Sequence, residues 1–151
     1  RIVQSMADAA KAANVAIVAG DTKVVEKGKG DGVFISTTGV GALPQARRPS
    51  GAGAKVGDAV LLSGSIGEHG VAVLSIRESL EFDTKIVSDS AALNALVETL
   101  YAAVPAEAVH VLRDPTRGGL ATTLNEICRQ SGCGMLIEEG AIMVQPQVQA
   151  A

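Results

Sequence analysis

Three short segments of this chain combine charged, hydroxyl and glycine residues at the ends of apolar runs. The first is Gly20-Asp21-Thr22-Lys23-Val24-Val25, which follows the apolar run Val15-Ala16-Ile17-Val18-Ala19. That run reads as a buried strand, and Gly20 lets the backbone turn where it ends. Beyond the turn, the Asp21 carboxylate suits a hard cation. The Lys23 ammonium suits phosphate oxygens that such a cation leaves uncovered. The same six residues also read as a solvated strand end.

The second segment, Arg113-Asp114-Pro115-Thr116-Arg117-Gly118-Gly119, falls between an expected strand and an expected helix. Its glycines admit a ligand close to the backbone, the first helical N–H groups point outward, and Arg117 can fork onto phosphate or carboxylate oxygens. Asp114 is placed to orient Arg117, or else Asp114 or Thr116 caps the helix. Glu126, two helical turns beyond Gly118-Gly119, can share the same surroundings or sit as a surface acid. The third segment, Ser63-Gly64-Ser65-Ile66-Gly67-Glu68-His69-Gly70, repeats the strand-turn-helix arrangement. His69 is a candidate base or phosphate partner, with a capping or packing role as the plainer reading. His110 reads as a strand residue only.

These segments need elements to hold them. Ile2, Val3, Met6, Ala9, Ala10 and Ala13 recur at helical spacing over residues 1–13. Strands are expected at 15–19 and 33–38, with the glycine-rich, charged loop 26–32 between them. Two strands and a helix do not close a domain, so this part must pack on something else. Residues 45–57 carry Arg47-Arg48-Pro49-Ser50-Gly51-Ala52-Gly53 and read as an interdomain linker. Beyond it, strands are expected at 58–63, 109–112 and 135–138. Helices are expected at 69–78, from Ser88 or Ser90 to before Pro105, and at 119–130. The organisation is residues 1–44, a linker 45–57, and residues 58–151. The fold class is α/β to α+β.

With 151 residues and 47% hydrophobic content, the chain has the material for a core, filled by aliphatic side chains because aromatics make up 2%. A net charge of −3 with scattered basic residues gives no stripe to grip nucleic acid. No apolar run reaches the roughly 20 residues that span a membrane. Cys128 and Cys133 lack zinc-site spacing and read as buried reduced thiols, which points to the cytoplasm. Both ends interrupt helical patterns, so a longer protein is expected. There is no Walker loop, dinucleotide fingerprint or nucleophile elbow.

Taken in order, Gly20-Asp21-Thr22-Lys23-Val24-Val25, Thr37-Thr38-Gly39-Val40-Gly41, Ser63 to Gly70 and Asp114-Pro115-Thr116-Arg117-Gly118-Gly119 resemble the HypE family of hydrogenase maturation carbamoyl dehydratases. The resemblance covers essentially the whole chain. The parent superfamily is similar to aminoimidazole ribonucleotide synthetase, selenophosphate synthetase and thiamine monophosphate kinase. It implies the end of an N-terminal ferredoxin-like, dimerising sheet domain followed by the start of an α+β C-terminal domain, with ATP bound between the two.

The implied reaction uses ATP to activate the oxygen of a carbamoyl group on a C-terminal cysteine thiol, then eliminates phosphate to leave a thiocyanate. The cyanide becomes an iron ligand of the hydrogenase centre. Carried over by motif, Asp21 binds Mg2+. Gly20, Asp21, Thr22 and Lys23 hold the nucleotide, as do Thr116, Gly118 and Gly119. Lys23, Asp114 and Arg117 serve the reaction, with Glu126 and His69 as candidate bases. Implied partners are a second copy in a homodimer, the carbamoyltransferase HypF and the HypC–HypD assembly complex. The chain departs from the family in lacking the terminal cysteine and the upstream acidic motifs, so turnover by this segment alone is not expected. A selenophosphate synthetase-like or small-molecule kinase activity, or a non-catalytic dimerisation or assembly module, are the competing readings.

Overall fold

Apolar spacing and glycine placement account for the helices of the computed structural model, which describes residues 1–79 and 86–151. Helix α1 (Ile2–Ala12) stops where Asn14 takes a positive φ of 53°, a conformation that asparagine tolerates better than most residues. Helix α2 (Glu68–Arg77) starts after Gly67, whose φ of 100° requires glycine, and carries Glu68 and Arg77 at the ends that its dipole favours. Helix α3 (Asn94–Ala103) ends ahead of Pro105. Helix α4 (Gly119–Ser131) begins after Gly118, and its C-cap Gly132 is left-handed, with its N–H bonded to the Cys128 carbonyl at 2.9 Å. The short α5 (Pro146–Gln149) has proline at its first position, where no N–H is missed. Among the described residues, no helix is long and apolar enough to cross a membrane.

Two capping expectations are corrected. Helix α3 starts at Asn94 with no side-chain cap, while Ser88 and Ser90 bond to one another at 3.1 Å. Neither Asp114 nor Thr116 caps α4, because two successive left-handed glycines, Gly118 and Gly119, turn the chain into the helix instead.

The expected strands at 15–19, 33–38, 58–63, 109–112 and 135–138 are also corrected: no strand forms among the described residues. The sheet part of the expected α/β to α+β architecture is therefore not seen there. A strand exists only through a ladder with a neighbour, whatever its apolar content. In the first two segments that content is left facing outward, with Val18 91% and Phe34 79% exposed.

The chain divides into two compact units, residues 1–48 with 92–107, and residues 49–91 with 108–151. In the first, Arg47 is bound to α3. Its guanidinium donates to both Glu98 carboxylate oxygens at 2.7 and 3.1 Å and lies 4.3 Å from the Tyr101 ring centre. This fork holds Glu98 below the usual carboxylate range.

In the second unit, α4 packs on a 3-10 turn at Gly51–Gly53. Ile127 and Thr123 of α4 are buried. The Ser50 N–H reaches the His110 carbonyl at 2.9 Å. A side chain at Gly53 would meet that same carbonyl oxygen at 2.6 Å, so glycine is required for the close approach. The Cys133 thiol donates to the Ala54 carbonyl at 3.3 Å. Cys128 and Cys133 are free and half-buried, less enclosed than the buried thiols expected of a helix's apolar face and a strand start.

Candidate functional site

In the second unit, the loop entering α4 is organised by Arg113. Its Nη1 donates to Asp114 Oδ1 at 2.7 Å and to the Asp114 carbonyl at 3.1 Å, while Nη2 donates to Glu126 Oε2 at 3.3 Å. The other Asp114 oxygen accepts from the Thr116 hydroxyl at 2.5 Å. That hydroxyl, then the residue's own backbone N–H, then the Arg113 guanidinium hold the Asp114 carboxyl below its usual range. Glu126, followed by Asp114, stabilises the Arg113 cation and raises its pKa.

Asp114 and Glu126 are thus both bound to Arg113, and Thr116 to Asp114. The expected pairing of Asp114 with Arg117 does not form. Arg117 is exposed, and no side-chain partner is found for it among the described residues. Gly118 and Gly119 both adopt positive φ, 72° and 64°, and a Cβ on Gly118 would collide with the Thr122 side chain. These glycines therefore shape the α4 entrance, where the first helical N–H groups lack intrahelical partners and can meet an anion. Arg113 was missed as a functional candidate. The signal was its position directly before Asp114 at the end of an apolar run.

In the first unit, Gly20, Asp21, Thr22 and Lys23 are all exposed. Asp21 Oδ1 accepts the Thr22 N–H at 2.8 Å, which orients the carboxylate and leaves Oδ2 for another partner. Gly20 is in open surroundings and is absent from the left-handed conformations, so the expected glycine turn there is not the reason for its presence.

The third segment sits at the start of α2. The Ser65 hydroxyl donates to Glu68, which is buried, and Gln145 Nε2 reaches Ser65 at 3.4 Å. His69 is exposed, with Nδ1 at 2.9 Å from the Ser88 hydroxyl. It meets Ser88 rather than the Arg113 group. His110, read from the sequence as a strand residue only, joins a polar cluster instead. Its Nδ1 lies 2.8 Å from Asp58 Oδ2, and its Nε2 lies 3.2 Å from Lys55 Nζ. Imidazole accepting from lysine on one side and donating to aspartate on the other fixes its tautomer. The Lys55 N–H, then His110, holds Asp58 below its usual range. Partners more than fifty residues away left no local sign of this cluster.

Similarity to known proteins covers both units. The N-terminal domain model of AIR synthase related proteins matches residues 1–43, and the C-terminal domain model matches residues 55–151. Over 151 residues the chain is 69% identical to carbamoyl dehydratase HypE of Cupriavidus necator and 60% identical to that of Azotobacter vinelandii. It covers 100% of itself in both, but 42% and 44% of those proteins, so it spans less than half their length. Among solved structures it is similar to the crystal structure of a HypE–HypF complex, with a TM-score of 0.85 and 49% identity over 99% of this chain and 48% of that one. The chain belongs to the AIR synthase related protein family and, within it, groups with the HypE proteins.

Proposed function

We propose that the protein carrying this chain is an ATP-dependent carbamoyl dehydratase. It converts a carbamoyl group on a C-terminal cysteine thiol to thiocyanate, supplying cyanide for [NiFe]-hydrogenase maturation. The observation that carries the reading is 69% identity, across every residue of the chain, to a protein named for that activity. The proposed domain organisation is 1–44, a linker 45–57, and 58–151, close to the spans 1–43 and 55–151 of the two family matches.

The donor set suits Mg2+ with a nucleotide. Asp21 offers one oriented carboxylate with a free oxygen, and among the described residues no cluster of three ligating side chains forms a dedicated cage. Mg2+ is commonly held by one or two carboxylates, with phosphates and waters completing the shell. ATP with Mg2+ supplies the phosphoryl group that turns the carbamoyl oxygen into a leaving group.

The chain's own residues have defined tasks. Asp21 holds the metal, while Gly20, Thr22 and Lys23 hold phosphate oxygens by backbone, hydroxyl and ammonium contacts. Thr116, Gly118 and Gly119 shape the reacting-end loop, and Arg117 receives the anion. Asp114, held ionised, orients that loop. Glu126 or His69 removes the amide protons as the nitrile forms. The protein acts in the cytoplasm as a homodimer, with HypF supplying the carbamoyl group and the HypC–HypD complex receiving cyanide. The HypE–HypF structure supports the first of these partnerships.

The test uses a protein of the relatives' length that contains these 151 residues. Given carbamoylated cysteine peptide and Mg-ATP, it is expected to yield cyanide alongside ADP and phosphate. Lys23→Ala is expected to abolish the calorimetric heat of Mg-ATP binding. ADP formation without cyanide assigns ordinary phosphoryl transfer instead, and no heat from the unsubstituted protein removes the enzyme reading altogether.

A further inference from the structure

We infer that Arg113 is the positioning residue of the reacting-end loop, fixing Asp114 and Glu126 in place so that Arg117 is left as the cation that meets the anionic ligand. This role rests on the dehydratase reading of the same loop. It begins from a difference between two arginines four residues apart. Arg113 is engaged on both terminal nitrogens, with one on Asp114 at 2.7 Å and the other on Glu126 at 3.3 Å. Arg117 has no side-chain partner among the described residues.

The carboxylates differ in the same way. Both Asp114 oxygens accept short bonds, one from Arg113 and one from Thr116. Among the described residues Glu126 accepts on Oε2 alone, which leaves Oε1 for a proton or a ligand. Arg113 therefore ties the loop residue whose two oxygens are both engaged to the helix residue that it holds by one oxygen, and it orients that carboxylate.

Stability alone gives a poor account of this arrangement. Arg113, Asp114 and Glu126 are 45%, 72% and 43% exposed, and ion pairs so open to water contribute little to folding. Orientation is a stronger reason for a forked guanidinium at this place, since a planar fork fixes direction as well as distance. Charge supplies another. Arg113 is the cation in contact with both carboxylates, so without it they face each other with no cation between them at the loop proposed to receive phosphate oxygens. The depressed Asp114 pKa is consistent with this picture.

The test compares Arg113→Ala, Arg113→Lys and Arg117→Ala in the full-length protein, following ATP-dependent cyanide formation against pH. Arg113→Ala is expected to lower kcat by about tenfold to a hundredfold, in line with the loss of an oriented proton acceptor. It is also expected to move the acidic limb of the kcat profile to higher pH, because a carboxylate that loses a neighbouring cation is protonated more readily. Arg113→Lys keeps the charge but not the fork, so it should return the acidic limb towards its original place while restoring kcat only in part.

Arg117→Ala should raise KM for ATP by about tenfold, the loss of a charged contact, with the acidic limb unmoved. A lower thermal midpoint for Arg113→Ala with unchanged kcat and pH profile would overturn the inference, as would an acidic limb that moves in Arg117→Ala instead. If the unsubstituted protein makes no cyanide, the dehydratase reading fails separately. NMR titration of the Asp114 carboxyl carbon then decides the positioning role: a higher midpoint in Arg113→Ala upholds it, and an unmoved midpoint overturns it.

Discussion

In the unit of residues 49–91 and 108–151, a 3-10 turn, the loop after residue 108 and helix α4 meet closely, and all three buried residues found among those described lie there. In the unit of residues 1–48 and 92–107, the apolar segments around Val18, Phe34 and Val40 face outward, and the cross-links that form are polar ones from Arg47 to α3. The second unit is ordered by glycine-permitted backbone approach and a helix face. The first has the side chains for a sheet without the neighbours to make one. Completeness of packing is thus a property of partners, not of hydrophobic content.

The largest expected effect contrasts Ile127 with Val18. Ile127→Ala removes the most buried apolar side chain of the described residues and is expected to cost about 2–5 kcal/mol in urea denaturation followed by far-UV circular dichroism. Val18→Asp in the same 151-residue chain should stay within about 0.5 kcal/mol, because the site is already in water. In a protein of the relatives' length, the Val18 change becomes costly if a neighbouring strand covers it there. Equal small effects in both lengths would show that the first unit is not an incomplete sheet.

Next comes the close approach at Gly53. Gly53→Ala drives a methyl group into the His110 carbonyl and should cost about 1–3 kcal/mol, as overpacking does. Gly20→Ala, in open space and without a left-handed φ, should stay within about 0.5 kcal/mol of the parent or stabilise it. Similar losses at the two glycines would erase the distinction between the units.

This contrast also explains what could be read from the sequence. Helices α1 to α4 were legible because periodicity, stop residues and left-handed glycines act within a few positions of one another. Strands were not, since the apolar run at 15–19 specifies a willingness to pair and says nothing about whether a pairing strand is at hand. The α4 site was legible in part: Glu126 lies two turns above Gly119, on the helix whose entry loop carries Arg113, and the two side chains bond to each other. The choice between Arg113 and Arg117 did not follow, because both lie within three residues of Asp114 in sequence and the spacing does not say which side chain turns back onto it. Lys55, Asp58 and His110 were hidden by sequence distance. Arg47, inside the expected linker, proved to be a ligand of α3.

The acid response should separate the two units by their carboxylates. Asp58 and Asp114 in the second unit lie below their ordinary 3.8, and Glu98 in the first lies below its ordinary 4.5. A depressed folded pKa gives stability that is full above the ordinary value and is lost as pH falls through the folded one. Amide spectra recorded downward from pH 5 should therefore show both the α3 signals and those around Asp58 weakening below these ordinary values, each through its own carboxylate. Glu98→Gln should flatten the first response and Asp58→Asn the second. A single simultaneous loss, unchanged by either substitution, would contradict separate electrostatic control.

The smallest expected effect lies at Arg47, the residue that links the segment before Arg48 to α3. Lysine retains the charge there, but it cannot keep the two-oxygen grip on Glu98 together with the planar stacking on Tyr101. Since Glu98 is largely exposed, water replaces much of what is lost. Arg47→Lys should therefore lower the unfolding midpoint by less than Gly53→Ala does, while the ring signals of Tyr101 shift clearly. Arg47→Ala should move both further in the same direction. If Arg47→Lys instead lowers the midpoint as much as Gly53→Ala, the first unit is held by this polar clamp as firmly as the second is held by backbone contact, and the contrast between them is one of chemistry rather than of strength.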